Sequence, residues 1–175
     1  MPCMSNADLH LPPLPRPRSG LPLPLFLLQP LLARVVRRIA AENPRMFNRL
    51  GPWVGCDYII DPVDMPIVLH LRPDPDAPLM RALSRRRLPD HVARISGRFL
   101  DLLELVDADL DGDALFFSRD LVIEGNTEAV VSLRNALDDI DGSIAARVAD
   151  MHGAPGRAAL AGLRRMAEKK KVKKQ

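Results

Sequence analysis

The sequence predicts an α+β domain. Three observations carry that assignment. The hydrophobic period is helical near the start, turns to β-rich runs between about residues 57 and 71, and returns to helical spacing after residue 99. Strands and helices mix without the strict β-α-β-α alternation that a doubly wound parallel sheet requires. The 175 residues are 47% hydrophobic but only 4% aromatic, so the core is aliphatic and amounts to one domain with extensions.

Eight of the 17 prolines fall in the first 30 residues, and residues 1–20 read as an unstructured or polyproline leader. A helix is predicted from about Pro24. Leu28, Leu31, Leu32, Val35, Val36 and Ile39 make one apolar stripe, opposite Arg34, Arg37 and Arg38. Asn43-Pro44 ends it, and a short helix over Met46–Leu50 follows. Residues 21–50 are thus an amphipathic helical segment, and the domain proper is expected over 51–145. Asp57–Asp61 and Pro66–Leu71 are strands, rich in β-branched residues and bounded by prolines. Residues 73–90 read as a loop with one helical turn. His91–Ser96 alternates like a strand, and Phe99, Leu102, Leu103 and Val106 resume helical spacing. Leu121–Ile123 is a strand. Gly125-Asn126-Thr127 is a turn capping a helix that carries Val130, Leu133, Leu137 and Ile140 and ends at Gly142. Residues 146–175 are helical in patches and close on a basic tail.

The net charge of +3 conceals strong segregation. Residues 1–50 carry seven basic and two acidic side chains, residues 91–150 carry five and thirteen, and residues 151–175 carry eight and one. Basic charge at the ends rather than on the body favours an anionic surface such as a membrane over nucleic acid. The helix over residues 21–40 is greasy, so Leu28, Leu32 and Val35 are candidate membrane contacts, together with Lys169, Lys170 and Lys171. Core packing is the commoner fate of such a stripe. Leu21 to Leu32 is too short and too interrupted by proline to span a bilayer. The two cysteines, Cys3 and Cys56, are too few for a zinc site or a disulfide scaffold, and the plain reading is a reduced, cytoplasmic protein.

No catalytic constellation is visible. Asp107-x-Asp109-x-Asp111-Gly112 fits the start of a calcium loop, but Ser118 stands where the bidentate Glu belongs, so an acidic turn is the better reading. The four histidines are scattered without metal-binding spacing. No glycine-rich phosphate cradle occurs. The expectation is a protein that is not an enzyme and holds no cofactor or metal.

Over residues 111–141 the chain resembles a known family. The run Leu115-Phe116-Phe117-Ser118-Arg119-Asp120-Leu121-Val122-Ile123-Glu124-Gly125-Asn126-Thr127-Glu128 is similar to the diagnostic segment of the UbiT accessory factors of ubiquinone biosynthesis, bacterial proteins on the sterol-carrier-protein-2 fold. Asn126 replaces the family's Asp, and both cap helices well. The resemblance is looser over residues 25–98, and the proline-rich segment 73–90 departs from it. It implies a mixed, mainly antiparallel sheet covered by helices around an apolar tunnel. It implies an accessory role in oxygen-independent ubiquinone synthesis, binding prenylated quinone intermediates beside peptidase-U32-type iron–sulfur hydroxylation proteins. A general carrier of phospholipids or acyl chains on the same fold is the alternative. Tunnel candidates are Phe99, Leu102, Leu103, Val106, Phe116, Phe117, Leu121, Ile123, Val130, Leu133 and Leu137. Phe116 and Phe117 lead them, because two adjacent rings do not readily share one buried face. Phe117→Asp is expected to abolish lipid co-purification and leave the circular-dichroism spectrum folded. Loss of the folded spectrum would make Phe117 core instead.

Overall fold

A computed structural model describes residues 25–106, 121–140 and 143–174. The leader, the acidic turn at 107–112, Gly142, Phe116 and Phe117 lie outside the described residues. Five strands form one sheet: β1 (Tyr58–Pro62), β2 (Val68–Arg72), β3 (Leu79–Leu83), β4 (Ala93–Gly97) and β5 (Val122–Gly125). Their spatial order is β3-β2-β1-β4-β5, and every neighbouring pair is antiparallel except β1 with β4. The helices are α1 (Leu25–Glu42), α2 (Met46–Leu50), α3 (Phe99–Val106), α4 (Thr127–Asp138), α5 (Ile144–Asp150) and α6 (Gly153–Lys174). A 3₁₀ turn, Gly51–Trp53, joins α2 to β1. The α+β class and the mainly antiparallel sheet stand as expected.

Helix α1 runs along β3. Val35, Val36 and Ala40 are buried, Leu28, Leu32 and Ile39 are half-buried, and Arg34, Arg37 and Arg38 are exposed, so the stripe read from the sequence is the packed face. Gln29 Nε2 donates to the carbonyl of Ala82 at 2.7 Å, which ties α1 to the edge strand. Burial of Val35 matches the commoner fate of such a stripe.

The segment 73–90 corrects the sequence reading. It holds β3, paired antiparallel with β2 from Val68↔Leu83 to Arg72↔Leu79, where a loop with one helical turn was expected. The residues LMRAL include no β-branched side chain, so their local propensity points away from a strand. Pairing with β2 in a hairpin closed at Arg72↔Leu79 and cover from the distant α1 decide the outcome. The other strands begin one or two residues after their expected starts. Cys56 is buried.

Gly125 ends β5 with φ +91, and a Cβ there would meet the carbonyl oxygen of Val92 at 2.5 Å. Only glycine fits that approach. Asn126 then caps α4, its side chain accepting from the backbone N–H of Ala129 at 3.0 Å. Asp64, remote in sequence, accepts from the N–H of Phe99 at the start of α3 at 2.8 Å.

Strand alternation gives the sheet two different faces. One carries Tyr58, Ile60, Leu71, Ala93, Ile95 and Ile123, all within or against the main apolar cluster. The other carries Asp57, Ile59, Asp61, His70, Arg72, Arg94, Ser96 and Glu124. Asp61 is 1% exposed and lies between Arg85 and Arg94. Arg85 donates to its Oδ1 from Nη2 at 2.6 Å and also to the carbonyls of Pro62 and Met65. Removing this carboxylate takes the shared partner from Arg85, which keeps the carbonyls of Pro62 and Met65, and from Arg94, which keeps Glu124. Asp61→Ala is expected to cost about 3–5 kcal/mol in denaturant unfolding, whereas Arg49→Ala, which breaks an exposed pair with Asp139, costs at most about 1 kcal/mol. Equal losses would mean the Asp61 pairs do not hold the sheet.

Candidate functional site

The apolar face gathers most of the described tunnel candidates. Leu102 from α3, Leu121 before β5, and Val130 and Leu133 from α4 are buried in one cluster, with Ile123 and Leu137 packed against it. Phe99 and Leu103 are half-buried on α3 and are not members of that cluster. Val106 closes α3, and its side chain lies outside the described ones, as do those of Lys169, Lys170 and Lys171 at the end of α6.

The helical spacing of α4 explains the gathering. Asn126 starts the helix, and Val130, Leu133 and Leu137 then recur at one face. The sequence reading missed the other wall. Met46, Phe47 and Leu50 of α2 come from the short helix. Trp53 follows in the 3₁₀ turn, and Tyr58, Ile60 and Ile95 come from β1 and β4. The alternation in 57–61 puts residues 58 and 60 on one face, which is the signal that could have found the strand members.

Two polar groups reach into this apolar wall. Tyr58 is fully buried, and its hydroxyl donates to the carbonyl of Ala129 at 3.3 Å. Burial raises its pKa well above the ordinary tyrosine value. The indole Nε1 of Trp53 is buried without a hydrogen-bond partner.

The charged face has a different chemistry. Arg72 holds Asp57 through two hydrogen bonds, Nε to Oδ1 at 2.9 Å and Nη2 to Oδ2 at 2.7 Å. His70, fully buried, contacts the same carboxylate through Nε2. Arg81 Nε donates to His70 Nδ1 at 3.2 Å. Since a guanidinium can only donate, Nδ1 is the acceptor and Nε2 carries the proton given to Asp57. Burial pushes the His70 pKa below its ordinary value, against the opposing pull of Asp57. Burial works to raise Asp57, yet its hydrogen bonds from Arg72 and His70 prevail and hold it below the ordinary carboxyl value. The pairing of His70 with an acid resembles an acid–base couple. Both ring nitrogens are engaged, however, and the ring faces away from the apolar cluster. The arrangement fits a neutral structural histidine better than a proton shuttle.

Residues 60–138 match the SCP-2 sterol transfer family. That span, a little under half the chain, runs from β1 through α4 and includes the described tunnel candidates. A solved structure titled UbiJ-SCP2 ubiquinone synthesis protein is similar at 17% identity and a TM-score of 0.47, over 69% of this chain and 93% of that one. The apo sterol carrier protein 2 of Yarrowia lipolytica is similar at 11% identity and 0.45, over 70% and 98%. The sterol carrier protein domain 2 of Helicoverpa armigera gives 12% and 0.44, over 70% and 94%. No curated protein matches the chain.

The His70 arrangement fixes a pH dependence. In the unfolded chain His70 titrates near about 6.5, and in the folded protein it titrates lower. Between those values the unfolded state binds more protons, so stability falls as pH falls. Asp57 adds a loss of the same sign further down, in the carboxyl range. The His70 contribution is at most about 1.4 kcal/mol per pH unit. Urea unfolding between pH 7 and 5 is expected to slope more steeply in the wild type than in His70→Gln, and parallel slopes would refute the assignment.

Proposed function

We propose that this protein is a non-enzymatic lipid carrier whose site is the apolar face between the sheet and helices α2, α3 and α4. The observation that carries the reading is the coincidence of two spans. The segment matching the SCP-2 sterol transfer family, 60–138, supplies Leu102, Leu121, Val130 and Leu133 to one buried cluster. Phe116, Phe117 and Val106 are proposed for the same lining, with the half-buried Phe99 and Leu103 of α3 beside it.

The preferred guest is a prenylated ubiquinone precursor, on the strength of the resemblance carried by Leu115–Glu128. Each buried CH₂ contributes about 0.8 kcal/mol, so one five-carbon isoprene unit contributes on the order of 4 kcal/mol. Three units give about 12 kcal/mol, nanomolar binding before entropy losses. Partial burial of the tail is therefore sufficient, and the ring stays where cytoplasmic hydroxylation proteins of the peptidase-U32 iron–sulfur type can reach it. Among the described residues no helix is long and apolar enough to cross a membrane. Contact with an anionic leaflet would fall to the basic end of α6, with Lys169, Lys170 and Lys171 each adding roughly 1 kcal/mol, and to Leu28 and Leu32 at the start of α1.

The test is mass spectrometry of organic extracts from the purified protein, made from cells grown without oxygen. Prenylated phenols or quinones at near one per protein are expected. Phospholipids or fatty acids in their place would favour the general carrier, and empty extracts would defeat both.

A further inference from the structure

Among the described residues, the apolar wall contains one hydrogen-bond donor without a partner. The indole Nε1 of Trp53 is buried and has no partner, though a buried indole N–H usually finds one. Its place is held firmly by the backbone. Pro52 opens the turn Gly51–Trp53, Gly55 donates to the carbonyl of Pro73 at 2.9 Å, and Cys56 donates to the carbonyl of Trp53 at 3.2 Å. Positive φ at Gly51 and Gly55 brackets the turn. The ring packs against the apolar cluster that contains Leu50, Tyr58, Val130 and Leu133.

We propose that Trp53 Nε1 is the donor that recognises a neutral oxygen acceptor on the bound lipid, a ring carbonyl or hydroxyl, and so distinguishes a polar-ringed lipid from a bare hydrocarbon or a charged one. The inference rests on the reading of the apolar face as the lipid site and names the chemistry that site selects. The indole N–H only donates, so its partner must accept, which selects oxygen over an amine cation. The acceptor is neutral because the sheet's guanidinium groups Arg72, Arg85 and Arg94 lie on the opposite face and are paired there with Asp57, Asp61 and Glu124. A carboxylate or phosphate beside Trp53 would lose its water without gaining a cation from the sheet. The other donor in the wall, the Tyr58 hydroxyl, is already given to Ala129.

The experiment uses the full chain and displacement of a bound fluorescent hydrocarbon probe by decyl-benzoquinone, decylbenzene and decanoate. Wild type is expected to take decyl-benzoquinone more tightly than the other two. Trp53→Phe removes the N–H and keeps a ring. It is expected to weaken decyl-benzoquinone about three- to tenfold, the effect of one net hydrogen bond, and to leave decylbenzene unchanged. Equal weakening of both would reduce Trp53 to a packing residue and overturn the proposal, as would no change in either. Trp53 is the only tryptophan in the chain, so its emission in the wild type gives a second measurement that needs no folded variant. Decyl-benzoquinone is expected to quench it in step with probe displacement. Displacement without quenching would place the ring elsewhere and overturn the proposal while leaving the carrier reading intact. Failure of every compound to displace the probe, or of the probe to bind, would remove the carrier reading and this inference with it.

Discussion

The central strand β1 is buried on both faces, and the rest of the fold answers that constraint. Tyr58 and Ile60 point to the helices, while Ile59 and Asp61 point the other way and are also shielded from water. A desolvated carboxylate such as Asp61 is tolerated only with charged partners. Arg94 supplies one from the parallel neighbour β4, and Arg85 supplies the other from the segment leaving β3. The ion pairs therefore reach across the sheet, from the β3 edge to β4 and on to Glu124 of β5. They also fix register, because a one-residue slip of β1 would turn Asp61 into the apolar layer and Ile60 into the charged one.

The same alternation divides the chemistry. The charged side chains of the sheet are gathered on one face, where Asp57, His70, Arg72 and Arg81 satisfy one another. The opposite face is left to aliphatic side chains and three aromatic ones, Phe47, Trp53 and Tyr58. A proton-transfer centre would need a titratable group with a free nitrogen or oxygen facing a cavity, and His70 meets neither condition. The apolar face can do one thing well, which is to exclude water from whatever lies against it.

Much of this was legible in the sequence, and the parts that were not share a cause. The stripe from Leu28 to Ile39 and the spacing Val130, Leu133, Leu137 are local periodicities, and the helices follow them. Asn126 read as a cap and is one. The strand β3 was missed because LMRAL has no local reason to be extended. It becomes a strand only when β2, the element just before it, and the distant α1 are beside it, and its own residue pattern signals neither contact. Trp53 and Phe47 were missed for a related reason. A short helix and a single turn carry too few residues to show a face, so their direction is set by α4, some eighty residues later, against which α2 packs. The pairing of His70 with Asp57 depends on the β1–β2 register, which the proline-bounded runs suggested only as two separate strands.

Relative magnitudes then decide which layer can yield. Parting β1 from β4 would strip Asp61 of Arg94 and expose a buried ion pair, a loss of about 3–5 kcal/mol before any backbone hydrogen bond is counted. The ties holding helices to one another are of another kind. Arg147 with Glu42 joins α5 to α1, and Arg49 with Asp139 joins α2 to the end of α4. Both pairs are substantially exposed, and such pairs contribute at most about 1 kcal/mol each. Aliphatic contacts, unlike hydrogen bonds, can be exchanged for contacts with another apolar surface at little net cost. A guest entering the apolar face would thus replace helix-to-sheet contacts with equivalent ones and leave the charged face intact. The sheet supplies the fixed wall, and the helical layer is the part whose interactions a lipid can reproduce.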